Sequence, residues 1–280
     1  MNVTSGTALR TYSAYMAGQS GVARLRDAAR AAAIAALSVT RDPKRTKDGI
    51  RFPYYHHVFD DERQGFARHL RYLRNIGEII GIDDAIGMIN AGTPLDGRYI
   101  CITFDDGFKN WIENALPILV EADAVAAFFV ATDYIGTDLE GDRDKLLAFY
   151  DDGTRLMEFL SWDDCRAMVA AGMTIGSHSA GHVHLLDLDD AGAERELAES
   201  KLKIESETGL PCRHFCCPFG RANIDYDPAR HPQMAERVGY ASFLTTQRGG
   251  NLADASPFDI RRDHLLANWG NFQLRYFLGA

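Results

Sequence analysis

The stretch Cys101–Asn110, CITFDDGFKN, places two adjacent carboxylates directly after an apolar run. Residues 99–104 read as a buried strand that ends at Asp105 and Asp106, and Gly107 follows them. Successive side chains on a strand point to opposite faces, but a turn at the glycine would let both carboxylates reach one cleft. An Asp-Gly pair is also common turn chemistry, so this stretch alone is compatible with a simple strand cap.

Strand-like and helix-like segments alternate on both sides of this stretch. Strand candidates cover residues 50–58, 98–104, 124–131, 173–179, 212–220, 241–247 and 257–265. Helical patterns cover residues 62–75, 82–91, 111–121, 163–171, 191–208 and 232–238. Such alternation predicts an α/β fold with a mostly parallel sheet or barrel. Function in barrels of this kind sits at the carboxyl ends of the strands, which is where Asp105 and Asp106 fall.

The first part of the chain, residues 1–48, reads as a helical extension that ends in a charged linker, and residues 49–280 read as the main domain. The most apolar early stretch, residues 28–39, is too short to cross a bilayer. No signal peptide pattern is recognisable, so the sequence favours a cytoplasmic protein. Peripheral membrane association through the N-terminal helix is the alternative that this stretch leaves open.

Composition excludes several classes of partner. The chain has 280 residues and a formal net charge of −9, which argues against a general affinity for nucleic acid or anionic membranes. Its five cysteines show no CxxC spacing. They are therefore predicted to be reduced thiols in a reducing compartment.

A second chemical feature is IGSHSAGHVHL, residues 175–185, in which His178 and His182 follow a predicted strand. Neutral imidazoles are common zinc ligands, and this spacing lets two rings converge on one ion. Two imidazoles and one carboxylate make a three-ligand site with room for water, the arrangement of catalytic zinc. His184 is a further imidazole, but it lies past the turn and is given no role.

Several stretches, in this order, resemble motifs of the polysaccharide deacetylase family, carbohydrate esterase family four. The stretches are YYHHV (54–58), TFDDG (103–107), HSAGH (178–182), FCCPFG (215–220) and SPFDIRRDHL (256–265). The resemblance extends over most of the chain beyond residue 50. It implies a distorted barrel of parallel strands that holds one divalent metal, usually zinc, although cobalt, nickel or manganese would suit the same ligands.

The resemblance also implies roles for individual residues. Asp105 would be the general base, and Asp106 would bind the metal together with His178 and His182. The backbone N–H of Phe219, where the family usually has tyrosine, would stabilise the negative charge on the carbonyl oxygen.

The chain departs from the family pattern at two positions. Many members carry an arginine where this chain has Cys216; here Arg262 of the closing strand would orient Asp105, unless it forms a surface ion pair. The general acid is His56 by analogy with a permuted branch of the family, or His264 near the C-terminus.

The function that follows is metal-dependent removal of acetyl groups from an N-acetylated glycan. A deacylase of a non-sugar amide is the alternative enzyme, and a non-catalytic carbohydrate-binding barrel is the alternative class. The identity of the glycan and the oligomeric state are not indicated by the sequence.

Overall fold

A computed structural model describes residues 7–17, 20–47, 49–150 and 152–279. Its strands are β1 (Gly49–Arg51), β2 (Pro53–Tyr55), β3 (Glu78–Ile79), β4 (Arg98–Ile100), β5 (Ile102–Asp106), β6 (Ala126–Val130), β7 (Thr174–Ser177), β8 (His214–Cys216), β9 (Ser242–Leu244) and β10 (Asp263–His264). Within the described residues, seven parallel strands form the main sheet in the order β10-β2-β5-β6-β7-β8-β9. This sheet curls into a half-barrel, so the predicted distorted α/β barrel is confirmed.

The helices surround this sheet and supply an N-terminal extension. They are α1 (Tyr12–Tyr15), α2 (Gly21–Ser38), α3 (Arg63–Ile76), α4 (Ile82–Ala91), α5 (Leu116–Glu121), α6 (Arg143–Ala148), α7 (Trp162–Ala170), α8 (Asp190–Thr208), α9 (His231–Val238) and α10 (Asn271–Leu278). Helices α1 and α2 lie within the predicted extension, and α2 packs on α10. The parts of the predicted extension at residues 1–6, 18–19 and 48 lie outside the described residues.

The six helices predicted from the sequence are found with ends that differ by at most one residue. The segment predicted as residues 111–121 consists of a π-helical turn, Trp111–Ala115, that leads into α5. Helix α7 begins with a capping box, because the Ser161 hydroxyl accepts from the N–H of Asp164 and the Asp164 carboxylate accepts from the N–H of Ser161. Apolar periodicity and caps together locate helices well.

The strands depart further from the prediction. Residues 50–58 and 98–104 were each expected as one strand, and each is broken, at Phe52 and at Cys101. Before the breaks, β1 pairs with β4 in a small sheet that also contains β3; after them, β2 pairs with β5 in the main sheet. A buried apolar run looks the same whichever sheet it joins, so the sequence pattern could not reveal this change.

Two further elements were missed. Neither α6 nor α10 near the C-terminus was predicted from the sequence. Conversely, the strand expected at 257–265 is reduced to β10. These elements are short, with eight residues or fewer each, so none spans enough residues to show a clear period.

The core lies on both faces of the main sheet and is rich in aromatic rings. Phe104 and Phe128 stack with centroids 4.6 Å apart, and Trp111 is fully buried beside them. All five cysteines are buried free thiols. In the part of the chain that the structure describes, no helix has the length and apolar character needed to cross a bilayer.

Candidate active site

Three side chains converge at the carboxyl edge of the main sheet. Asp106 ends β5, while His178 and His182 follow β7, and β6 lies between these two strands. The Asp106 Oδ1 atom lies 3.4 Å from His178 Nε2 and 3.2 Å from His182 Nε2. Parallel strands end at the same edge of a sheet, so residues distant in sequence meet there.

Hydrogen bonds orient the two imidazoles of this triad. His178 Nδ1 lies 2.7 Å from the carbonyl oxygen of Cys216. Since a carbonyl only accepts, Nδ1 carries a proton, and this bond turns Nε2 of His178 towards Asp106. The ring of His182 lies between Phe149 and Phe219, with centroids 4.6 Å and 4.8 Å away.

The triad fits a divalent cation. Its three candidate ligand atoms lie within 4.8 Å of one another and are largely buried. Burial alone would raise the pKa of Asp106, but the charge of His56 and the hydrogen bonds from His178 and His182 hold it well below its usual value. Two imidazoles and one ionised carboxylate are the donor set of catalytic zinc, and they also suit neighbouring transition metals.

The neighbouring carboxylate, Asp105, is paired with an arginine. Arg262 donates from its two terminal nitrogens to Asp105 Oδ1 at 2.7 Å and Oδ2 at 2.6 Å. Arg262 is 0% exposed, so this contact is a buried pair rather than a surface one. Burial would raise the pKa of Asp105, but the charge and hydrogen bonds of Arg262 outweigh it and lower that pKa.

Arg262 is itself held on every side. Its Nε donates to the carbonyl oxygen of Thr245 at 2.8 Å, and a terminal nitrogen lies 2.9 Å from Cys216 Sγ. Its guanidinium carbon lies 4.2 Å from the centre of the Tyr54 ring. The arginine is therefore fixed in orientation, and it fixes Asp105 in turn.

Both candidates for the general acid line the same cavity and contact each other. His56 Nδ1 lies 3.2 Å from His264 Nε2, and Tyr54 stacks on the His264 ring at 4.9 Å. Burial, with a contribution from the charge of His56, lowers the pKa of His264 to about 3. His264 is therefore neutral over the ordinary pH range. The Trp111 indole N–H anchors the backbone carbonyl of His56 at 2.7 Å.

Phe219 presents its backbone to the site. Its N–H has no hydrogen-bond partner among the residues that the structure describes, while its carbonyl accepts from the Thr246 hydroxyl at 2.7 Å. Phe219 is 41% exposed as a residue, and its ring lies flat on His184, with centroids 3.8 Å apart. His184 pairs with Asp225 at 3.0 Å and lies outside the triad.

Unusual backbone conformations cluster at this edge. Asp106, Ser179, His182 and Phe219 have φ values of 95°, 61°, 55° and 59°. Such conformations are unfavourable for residues other than glycine, and they persist where surrounding contacts hold them. Here they lie on the turns that carry the triad and the free N–H of Phe219.

Asp105, Asp106, His56, His178, His182, Phe219 and His264 all line one cavity of about 520 Å³, and Arg262 lies directly behind Asp105. Sequence reasoning missed other lining residues, among them the aromatic and imidazole side chains of Tyr12, Tyr15, His57, Phe59, Phe149 and Tyr150. His56 and His57 both follow β2, which ends at Tyr55, so strand alternation does not place them on opposite faces. Tyr12 and Tyr15 carry no motif, and their paired spacing in TYSAY was the available hint.

Comparisons with known proteins identify a family and a shared fold. The family model described as polysaccharide deacetylase matches residues 92–241, more than half of the chain. The putative polysaccharide deacetylase YxkH of Bacillus subtilis (strain 168) is 23% identical over 201 residues, which are 71% of this chain. That match spans 63% of YxkH, less than two thirds of its length.

Solved structures share the fold at low sequence identity. IcaB from Ammonifex degensii has a TM-score of 0.65 and 22% identity, covering 83% of this chain and 98% of its own. The Streptococcus pyogenes deacetylase PplD, solved with acetate, has a TM-score of 0.64, 20% identity and the same coverage. The BpsB deacetylase domain of Bordetella bronchiseptica has a TM-score of 0.63 and 22% identity, covering 81% of this chain and 97% of its own. With the family match over residues 92–241, the chain belongs to the polysaccharide deacetylase family.

Proposed function

We propose that this protein is a metal-dependent hydrolase that removes acetyl groups from the amino sugars of an N-acetylated glycan. One observation carries the proposal: the buried triad of Asp106, His178 and His182 lies beside the buried pair of Asp105 and Arg262 in one cavity. A structural metal site does not need a second, separately oriented carboxylate next to its ligands.

Asp106, His178 and His182 would hold the metal, most readily zinc, with cobalt, nickel or manganese as alternatives. Such an ion, when bound, acts as a Lewis acid on the acetamide carbonyl and lowers the pKa of water.

Asp105 is the general base of this proposal. Its lowered pKa keeps it ionised near neutral pH, and it lines the cavity. Asp105 Oδ1 accepts from Arg262 and from the Cys216 thiol, whereas Oδ2 accepts one N–H from Arg262 and retains a further lone pair. Asp105 thus takes a proton from the attacking water while Arg262 keeps it in position.

Phe219 and His56 complete the proposed machinery. The unpartnered Phe219 N–H donates to the oxygen that becomes negative as the amide carbon is attacked. His56 Nδ1 and His264 Nε2 share a hydrogen bond, so Nδ1 is occupied and Nε2 of His56 is the nitrogen that can carry a proton to the departing amine. His264 is then a positioning residue rather than the acid itself.

The proposed substrate is a surface polysaccharide, an oligosaccharide or a carrier-linked precursor. The curated relative is named a putative polysaccharide deacetylase, which favours a glycan over a non-sugar amide. A non-catalytic barrel is the weaker proposal, because the ligand triad and Asp105 are both present.

The test is acetate release from N-acetylglucosamine oligomers and acetylated polysaccharides, by protein stripped of metal and then reloaded with zinc or cobalt. We expect acetate only from the reloaded protein. Reloaded protein with one metal per chain that releases acetate from none of these glycans would contradict the proposal and favour a non-sugar amide.

A further inference from the structure

We propose that the N-terminal segment, residues 7–17, forms a sugar-binding subsite in which Tyr15 contacts the pyranose ring next to the reacting N-acetylated residue. This inference rests on the proposed function, because it names a part of the glycan that the same cavity would bind. The segment lies outside residues 92–241, so the subsite is no part of the match to the family model.

The N-terminal segment is tied to the rest of the protein by several hydrogen bonds. The carboxylate of Asp61 accepts from the backbone N–H groups of Tyr12 at 2.7 Å and Ser13 at 3.2 Å. The N–H of Leu9 donates to the carbonyl of Leu156 at 2.9 Å. These bonds hold the segment as a fixed wall of the cavity.

Tyr15 is the centre of this wall. Its ring centroid lies 5.3 Å from Phe59, 5.4 Å from His57 and 5.9 Å from Tyr150. The guanidinium carbon of Arg155 lies 4.5 Å from the ring centre. Tyr15 is nevertheless only half-buried and lines the cavity, so part of its surface remains available to a ligand.

The aromatic wall continues to the candidate metal ligands. The Tyr150 hydroxyl lies 2.9 Å from His57 Nε2, and the neighbouring Phe149 stacks on His182 at 4.6 Å. Tyr15 and the triad therefore belong to one cavity of about 520 Å³. This volume lies within the range of roughly 300–1,000 Å³ that is typical of pockets for whole small molecules, far more than an acetyl group needs.

The chemistry of the wall matches a sugar. A pyranose ring has apolar C–H faces and a rim of hydroxyls, and tyrosine offers an apolar ring with a polar edge. The Tyr15 ring packs against His57, Phe59 and Tyr150, whereas Phe149 is the ring that stacks on His182 of the triad. Because the acetyl group must reach Asp105 and the triad, we assign Tyr15 to the neighbouring sugar. The protein should therefore bind a chain of sugars better than a single sugar.

The experiment measures binding in an Asp105→Asn background, which prevents turnover, with zinc-loaded protein and isothermal titration calorimetry. The probes are the monosaccharide and the tetrasaccharide of N-acetylglucosamine. Tyr15→Ala should weaken tetrasaccharide binding roughly five- to tenfold, the loss of one aromatic contact, and leave monosaccharide binding unchanged. Tyr15→Leu, which keeps the bulk of the side chain, should show the same selective loss.

Tyr276→Ala is the matched control. The guanidinium carbon of Arg41 lies 4.3 Å from the Tyr276 ring centre, as Arg155 does over Tyr15, but Tyr276 does not line the cavity. Its removal should not change tetrasaccharide binding. Melting temperatures of all variants report whether the fold is retained.

Two results would overturn the subsite: equal tetrasaccharide affinity with and without Tyr15→Ala and Tyr15→Leu, or a parent protein that binds the tetrasaccharide no better than the monosaccharide. Acetate release is measured separately with Asp105 intact. Selective tetrasaccharide binding without acetate would preserve the subsite and contradict the proposed function. Acetate release by the intact protein, with tetrasaccharide binding unchanged in the Tyr15 variants, would support the proposed function and contradict the subsite.

Discussion

At the scale of single residues, two neighbouring carboxylates have different environments. Asp105 pairs with Arg262, whereas Asp106 faces His178 and His182. The φ of Asp106 is positive, 95°, so the chain changes direction directly after Asp105. The motif TFDDG was enough to predict the carboxylates, and it also contains Thr103, whose hydroxyl accepts from Arg262 at 3.2 Å. The other groups that hold Arg262, on Tyr54, Cys216 and Thr245, are distant from this motif in the chain and could not be read from local sequence.

Asp105→Asn should separate catalysis from metal binding. Since Asp105 lies outside the proposed ligand triad, we expect zinc content near that of the parent and a turnover rate lower by roughly 10²- to 10⁴-fold. Elemental analysis and acetate release measure the two quantities. Asp106→Asn is the contrasting variant and should lose metal. An Asp105→Asn protein with full turnover would remove the general base from the proposal.

Arg262→Met should destabilise the protein strongly. It leaves Asp105 buried without its cation, a change that costs about 3–5 kcal/mol in other proteins. Urea unfolding measures the loss, and the double variant with Asp105→Asn should recover part of it. Arg261→Met changes the exposed neighbour and should alter the free energy of unfolding little. Equal effects of the two single variants would contradict a buried pair.

At the scale of elements, helices were predictable and strand boundaries were not. Helix α4 was predicted with both ends correct, because its apolar period and the glycine at its C-terminal end are local signals. The break at Cys101 depends on which strand lies alongside. Its N–H donates to the carbonyl of Arg51 at 2.9 Å, a partner fifty residues away that no local pattern encodes.

Ser161→Ala should weaken the start of α7. The hydroxyl accepts from the N–H of Asp164 at 3.1 Å, and removal of such a cap costs about 1 kcal/mol. The free energy of unfolding from urea titration measures the effect. Ser206→Ala, an exposed position inside α8, is the control and should change stability by less. A Ser161 variant as stable as the parent would mean that the cap contributes nothing.

At the scale of the whole molecule, the N-terminal extension is joined to the main domain. Arg10 forms ion pairs with Glu113 at 2.9 Å and with Asp60 at 3.3 Å. The sequence predicted helical structure before residue 48, but not that Tyr12 and Tyr15 reach the cavity, because only tertiary packing brings them there. The division into 1–48 and 49–280 remains a prediction.

The free energy of unfolding should fall in mild acid. Burial lowers the pKa of His69 to about 4 from 6.5. The unfolded chain therefore binds a proton first, so the contribution of His69 is complete above about pH 6.5 and is lost as the pH falls towards 4, by about 1.4 kcal/mol per unit. His69→Gln should flatten this dependence in urea unfolding measured between pH 7.5 and 4.5. Parallel curves for the two proteins would exclude His69 as the cause.

The five buried cysteines have a practical consequence. Since all are free and shielded, a thiol reagent can label the native protein only during transient opening. Cys216 touches both Asp105 and Arg262, and Cys165 lies on α7. Labelling rates resolved by mass spectrometry would therefore report opening beneath the cavity separately from opening of an outer helix, so the chain carries its own site-resolved reporters of native-state fluctuations.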